Sequence, residues 1–561
     1  MFSNPLSKQL VVAIALVLSM PLLLAQTVTV PDAGALRQQL EQQRQLELPP
    51  AVRPERQILI PPEIKPRPGL TVQVKEFRFA NNTLLSADLL APAVASYLNR
   101  PSSFEDLQRA TDAVAAAYRE AGWIVRVYLP EQDISEGVVT LQVVESRFGG
   151  VRFEGTPPER VLPSEIEAYF KAHQAWGAPL NAAALDRALL LADDLPGVSV
   201  AGTLVPGSVD GETVLVLQST DEPIVYGDIG VDNTGTRSTG SDRLSANLNI
   251  NSPGRRGELI SMNLLHTQGS DYGRFRLTVP NGHRGLRLGV SASYMDYKVV
   301  DGPSANSSAQ ISGHSSSFGL DWSYPLMRAR LQNVYWTGGL ENKKFVTRDT
   351  QVRSDYDTDG LHLGLSGNRF DDLGGGGANS ASVQLSWGRL TNMKAHTQMD
   401  TLARSFHKVA YIISRQQNLM PDHSLYVSLT GQEAPQQLDS SERFYIGGTN
   451  SVRAYPASEH GGDRGQVLSA EWRWRVQPAF LLTAFVDAGR VVQLAQPSVP
   501  ENTLSLRGQG LSLAWEGPKR ITTQLTWARR NGLNPMPTPK GTDGDGTLKL
   551  NRFWLSASLP F

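Results

Sequence analysis

From residue 222 onward the chain alternates. Apolar and polar residues exchange places along segments of about ten residues, separated by Gly, Asn, Asp, Ser and Pro, the period of strands with one oily and one wet face. The clearest runs from Val467 to Val476: Leu468, Ala470, Trp472, Trp474 and Val476 fall on one side, and Ser469, Glu471, Arg473 and Arg475 on the other. Leu244, Ala246, Leu248 and Ile250 likewise oppose Ser245, Asn247 and Asn249, and Phe480, Leu482, Ala484 and Val486 oppose Thr483, Phe485 and Asp487. A soluble sandwich would bury the apolar face against a second sheet. Charged faces lining water, with bulky residues outside, predict a transmembrane β-barrel instead.

Segments starting near Val225, Leu244, Leu259, Phe275, Leu286, Phe318, Val334, Leu361, Val383, Val409, Leu425, Val467, Leu481, Leu511, Thr523 and Phe553 number sixteen. That even number closes a barrel with both chain ends on one side. Connections alternate in length as well. Ser252 to Gly257, Asn281 to Gly285, Pro421 to His423, Gln477 to Pro478 and Gly517 to Arg520 are short, whereas Val299 to Gly313, Thr391 to Ser405, Gln432 to Arg464 and Gly532 to Thr547 are long. Short turns on the periplasmic side and long loops outside are the usual arrangement of outer-membrane barrels.

Upstream, a unit of about 75 residues occurs twice. A strand with Val72, Val74 and Phe77 precedes two helical stretches and two strands, Trp123 to Leu129 and Val138 to Val144. The second helix has a capping-box signature in Ser103 and Asp106, an apolar face of Leu107, Ala110, Val114 and Ala117, and a stop at Gly122. Val151 and Phe153, helices near Ser164 to His173 and Asn181 to Leu195, and strands around Val198 to Val205 and Thr213 to Gln218 repeat the order. Each unit predicts a three-stranded sheet with two helices on one face and edges free to pair with another chain. Residues 71–221 hold 11 basic and 20 acidic side chains, net −9, and residues 222–561 hold 35 and 29, net +6. An acidic module capturing acidic clients is better served by backbone pairing than by charge.

The amino end is different again. Lys8 precedes an apolar run from Leu10 to Leu24 that is too short to span a bilayer and reads as a secretory signal over residues 1–25. Asp32 to Leu48 predicts a mostly polar helix with a thin stripe of Leu36 and Leu40. The prolines of residues 49–70 then predict an extended tether able to carry that helix into a cavity.

Composition mainly excludes. Lys plus Arg number 53 against 54 Asp plus Glu, which leaves no electrostatic footprint for nucleic acid. There is no cysteine, the histidines lack metal-ligand spacing, and no nucleophile elbow or phosphate loop occurs, so neither catalysis nor a cofactor is expected. The acidic stretches Asp357 to Gly360 and Asp543 to Gly546 read as turns rather than calcium sites.

The longest predicted loop contains Gly447-Gly448-Thr449-Asn450-Ser451-Val452-Arg453-Ala454-Tyr455-Pro456, and two strands later comes Phe485-Val486-Asp487-Ala488-Gly489. If the loop folds inward, Arg453 can fork onto Asp487. From these two residues alone, a solvated loop arginine is the commoner reading. At these motifs, however, the chain resembles the outer-membrane transporters of two-partner secretion, the TpsB type that includes haemolysin activators and filamentous-haemagglutinin transporters.

That resemblance covers nearly the whole chain. It implies a signal at 1–25, a plug helix at 32–48, a linker at 49–70, POTRA modules at 71–146 and 147–221 in the periplasm, and a 16-stranded outer-membrane barrel at 222–561. It also implies that Val452, Arg453 and Tyr455 of the loop tip lock onto Phe485, Asp487 and Gly489, with Glu471 and Arg473 as lumen charges. The aromatic end, Phe561, resembles the signal read by the barrel-assembly machinery. The expected partners are outer-membrane lipids and a large secreted exoprotein of haemolysin, adhesin or contact-dependent toxin type. Ala454 departs from the family's glycine, which would be strained were a positive φ required there. An insertase of the same superfamily and a passive channel are the alternatives.

Overall fold

The computed structural model describes residues 32–45, 71–209, 211–301, 311–349, 353–394, 404–495 and 500–561. The export signal and the proline-rich tether lie outside them. Sixteen antiparallel strands, from Val225–Asp232 to Asn551–Pro560, close into a single barrel, each neighbouring the next in sequence except where the first meets the last. All sixteen predicted strands are found. Alternation decides which way each residue faces: Leu264, Phe318, Leu365, Trp387 and Phe553 stand exposed on the outer wall, while Asn247, Ser293, Ser414 and Ser512 turn inward. No described helix is long and apolar enough to cross a membrane. Any crossing is by strands.

Two details of the strand reading change. Asp357 to Gly360 is not a turn but the middle of the strand Arg353–Asp371, where Asp357 takes a hydrogen bond from Asn392 Nδ2 at 2.6 Å and Asp359 one from Asn342 Nδ2 at 2.8 Å. Cross-strand amides supply what a turn backbone would have supplied. The alternation of short and long connections also breaks twice on the long-loop side, where Leu259–Thr267 and Ser270–Pro280 are joined by only Gln268 and Gly269, and Gln332–Arg348 and Arg353–Asp371 by only the four residues 349–352.

The two upstream modules share one topology. In each, the first strand lies parallel to the third and the second antiparallel to it: Glu76–Ala80, Val138–Glu145 and Val125–Tyr128, then Arg147–Phe153, Glu212–Asp221 and Val198–Pro206. Helices Ala87–Val94 and Phe104–Glu120 cover the first sheet, and Pro163–His173 and Ala182–Asp193 the second. The capping box of Ser103 and Asp106 is present, and Leu107, Ala110, Val114 and Tyr118 bury against Val139, Leu141 and Val143. The predicted first strand is two pieces. Thr71–Gln73 leaves the main sheet to pair with Pro101–Ser103.

The second module is braced on the short turns of the barrel. Arg328 grips Asp194 at 2.7 and 2.8 Å, Arg330 meets Asp186 at 2.9 Å, His283 Nε2 meets Glu165 at 3.0 Å, and Arg255 donates to the Glu159 carbonyl at 2.8 Å. These contacts put the modules at the short-turn mouth of the lumen.

Candidate functional site: the infolded loop and the lumen helix

The chain between strands His423–Glu433 and Arg464–Gln477 folds into the barrel. Phe444–Ile446 and His460–Gly462 pair as a small hairpin that carries the glycine-rich tip. The period of two on the neighbouring wall turns Ser469, Glu471 and Arg473 inward on one strand, and Phe485, Asp487 and Gly489 inward on the next. Register sets Ser469 beside Asp487 and Glu471 beside Phe485.

Arg453 reaches this patch. Its Nη2 lies 2.7 Å from Asp487 Oδ1, its Nε 2.9 Å and its backbone N 3.1 Å from Oδ2, and Nη1 lies 2.9 Å from Glu471 Oε1. Ser469 Oγ accepts from Nη2 and donates to Asp487 Oδ1, both at 2.8 Å, and the guanidinium carbon sits 3.5 Å above the Phe485 ring. The Asp487 side chain is completely buried. Glu471 is held in turn by both Nε and Nη2 of Arg473 at 2.8 and 2.7 Å, and Arg473 lies over Tyr426.

Shape completes the fit. Val452 presses against Gly489, where a Cβ would come within 2.7 Å of Val452 Cγ2, and Ala454 presses against Gly508, where a Cβ would lie 2.5 Å from the Ala454 Cβ. Ala454 has no positive φ, so the strain expected for alanine is absent. The free space that the fit needs is on the wall, at Gly508. Tyr455 is buried with Arg530 over its ring, and Phe561 closes the last strand by exchanging backbone hydrogen bonds with Gly227 at 2.9 and 3.1 Å.

Several residues at the site were not singled out from the sequence. Trp554 donates from Nε1 to the Arg453 carbonyl at 2.8 Å; a tryptophan among the inward-facing Arg552, Ser556 and Ser558 was the available signal. Asp543 opens the expected turn, with Gly546 N donating to its carbonyl at 2.9 Å, but its side chain is fully buried between Arg530 at 2.8 Å and Arg552 at 3.0 Å rather than solvated. Beside it, Glu459 accepts from Asn534 Nδ2 at 2.8 Å and Gly544 N at 2.9 Å. Burial, then the neighbouring Asp543, pushes its carboxyl up to about 7, while burial lowers the adjacent His460 to about 4.

The amino-terminal helix, Ala33–Gln45, also lies inside the barrel, against the strands Ser312–Arg328 and Gln332–Arg348 and the infolded loop. Of its predicted stripe Leu36 is buried and Leu40 half-buried, and Ala33 joins Leu36 in a pocket of Tyr297, Phe345, Tyr356 and Leu438. A Cβ at Gly34 would come within 2.9 Å of Tyr356, Ser440 and Ser441, so only glycine fits there. The polar face is latched. Arg37 bonds Ser317 at 2.5 Å and Glu41 at 2.7 Å, Lys343 stands 3.1 Å from Glu41 and 3.4 Å from both Glu341 and Glu442, and Lys408 holds Glu442 at 2.8 Å. Gln42 exchanges hydrogen bonds with the backbone of Tyr445, and Asp32 accepts from Ser440 Oγ, so helix and loop also hold each other. Among the described residues no cluster suited to a metal ion occurs.

A closed sixteen-stranded barrel, fed by two small α/β modules at one mouth and filled by its own loop and helix, defines a POTRA-bearing outer-membrane transporter. Residues 211–514 match the family described as haemolysin secretion/activation protein ShlB/FhaC/HecB, residues 72–146 match the ShlB-type POTRA domain, and the chain belongs to the ShlB/FhaC/HecB family. It is 24% identical over 537 residues to the heme/hemopexin transporter protein HuxB of Haemophilus influenzae, covering 90% of this chain and 92% of that one. It is 26% identical over 398 residues to the outer membrane transporter CdiB of Escherichia coli, covering 68% and 65%. A solved structure of CdiB from Escherichia coli shares the fold, with a TM-score of 0.72 at 21% identity over 96% of this chain and all of that one. The protein is an outer-membrane transporter of two-partner secretion with its POTRA modules in the periplasm.

Proposed function

We propose that the chain captures an unfolded exoprotein at a POTRA sheet edge and threads it outward through the barrel after the helix has left the lumen. The observation that carries this reading is the filling of the lumen. Both obstructing segments are the chain's own and are held by polar contacts, and the adjoining wall is polar, with Asn247, Asn263 and Ser291 beside Asp228, Arg274 and the Arg276–Asp321 pair.

The residues take distinct roles. Arg453, braced by Asp487 and Glu471, fixes the loop tip; Val452 and Tyr455 set its position against Gly489 and Arg530. Phe485 stacks under the guanidinium, and Arg473 holds Glu471 in place. Phe561 serves recognition by the barrel-assembly machinery, and the exposed outer residues meet lipid. No bond-breaking chemistry is assigned. With no nucleotide motif in the sequence, the drive comes from cargo folding outside the cell so that it cannot return. The client is a large exoprotein of haemolysin, adhesin or contact-dependent toxin type.

Comparing proteins in the medium with and without this chain tests the reading. Loss of one large exoprotein is expected. Unchanged medium with depleted outer-membrane barrels would identify an insertase instead.

A further inference from the structure

The barrel closes on its weakest ladder. The first and last strands pair over only five residues, Asp228 to Asp232 against Ser556 to Pro560, whereas every other neighbouring pair of barrel strands shares at least eight. Below these five the ladder gains one more pair, Phe561 exchanging backbone hydrogen bonds with Gly227 at 2.9 and 3.1 Å. Above it the backbone ladder is prolonged mainly by Asn233, which exchanges backbone and side-chain hydrogen bonds with Leu555 at 2.9 and 3.2 Å and donates from Nδ2 to the Phe553 carbonyl at 3.2 Å. The first strand has ended at Asp232, so the upper half of the last strand lacks a strand neighbour on the seam side.

Support comes from inside instead. The Trp554 indole, itself 7% exposed, donates to the backbone carbonyl of Arg453, while the Arg453 side chain is clamped to Asp487. In barrel order, Asp487 lies on the strand Phe480–Gln493 and Trp554 on the last strand, with Asn502–Glu516 and Thr522–Arg530 between them. The loop tip therefore spans four strands of the wall like a strut, with one foot on Asp487 and the other on the strand that must meet the seam.

We infer that Trp554 is a positioning residue through which the infolded loop holds the first-to-last-strand seam closed, so that release of the tip loosens the seam. A donor lost at Trp554 removes one foot of the strut, and a carboxylate lost at Asp487 removes the other. Because the two feet act through one rigid tip, their losses do not add. The inference deepens the loop-lock reading, but seam spacing is read without any secreted partner, so its failure is distinct from a failure of secretion.

The chain has no cysteine, which makes paired spin labels clean. Labels at Val231→Cys and Ala557→Cys, directly opposed across the seam, report its spacing in the full chain in a lipid bilayer; labels at Leu363→Cys and Leu385→Cys, opposed in a continuous part of the wall, serve as control. Trp554→Phe, which keeps an aromatic ring but loses the donor, is expected to add a longer-distance population at the seam and none at the control pair. Asp487→Asn should do the same with Trp554 intact, and serves as the test if Trp554→Phe does not assemble. Combining the two should widen the seam no further. An unchanged seam, equal widening at the control pair, or additive widening in the double variant would overturn the inference.

Discussion

The loop tip and the amino-terminal helix both sit in the lumen and both are held by charge, yet they are held differently. At the tip, one carboxylate, Asp487, takes three hydrogen bonds from Arg453 and one from Ser469, and the Val452 and Ala454 side chains on either side interlock with Gly489 and Gly508. At the helix, Arg37 and Lys343 share Glu41, Glu341 and Glu442, Arg37 Nη1 has no hydrogen-bond partner among the described residues, and although Arg37 is fully buried the only apolar side chains of the helix buried with it are Ala33 and Leu36. A buried, shape-matched pair is costly to break because each partner would be stranded away from water. The helix latch is buried as well, but its cations and carboxylates are shared among several partners, and Glu442 keeps Lys408 when the helix withdraws. The contrast supports the proposal that the tip is the fixed element and the helix the removable one.

The sharpest way to break this comparison is Asp487→Ala. It leaves the buried guanidinium with Glu471 alone for a carboxylate and removes three hydrogen bonds, a loss of about 2–4 kcal/mol in tip docking. Secretion of the partner protein should fall far more than the amount of folded barrel, assayed by exoprotein in the medium against heat-modifiable mobility of the membrane fraction. Equal losses in both would make Asp487 purely structural.

The barrel was legible because its two faces meet different solvents, so a period of two survives in every strand from Val225 to Phe561. The tip was legible only by family likeness: Arg453 and Asp487 lie 34 residues apart in sequence, and nothing local in either predicts an infolded loop. Trp554, Gly508 and Lys343 were missed for the same reason. Their partners are set by barrel curvature, which brings the last strand over the tip and the strand Gln332–Arg348 against the helix. The Asp357 to Gly360 stretch was misread because its Asp and Gly composition imitates a turn, while ladder partners on both sides fix it as strand.

Gly508→Ala sharpens the shape half of the contrast. The new methyl would lie 2.5 Å from the Ala454 Cβ, closer than two carbons can approach, so the tip must shift. Overpacking of this kind costs about 1–3 kcal/mol. Ala454→Gly removes the opposing methyl, so the double variant Gly508→Ala with Ala454→Gly should recover most of the secretion that Gly508→Ala loses. No recovery would mean that the wall glycine serves something other than the tip.

The smallest effect on the fold is expected from Lys343→Gln, and this separates the two elements most directly. The substitution takes the cation from among Glu41, Glu341 and Glu442, but Arg37 still holds Glu41 and Lys408 still holds Glu442, so the residual repulsion falls mainly on the helix. Loss of one charge-assisted contact of about 1.4 kcal/mol shifts helix occupancy about tenfold. In planar bilayers the fraction of time spent conducting should rise by that order, while the temperature at which the barrel loses its folded mobility stays that of the unsubstituted protein. A fall in that temperature resembling the one caused by Asp487→Ala would show that the helix is as much part of the fixed structure as the tip, and the distinction between them would fail.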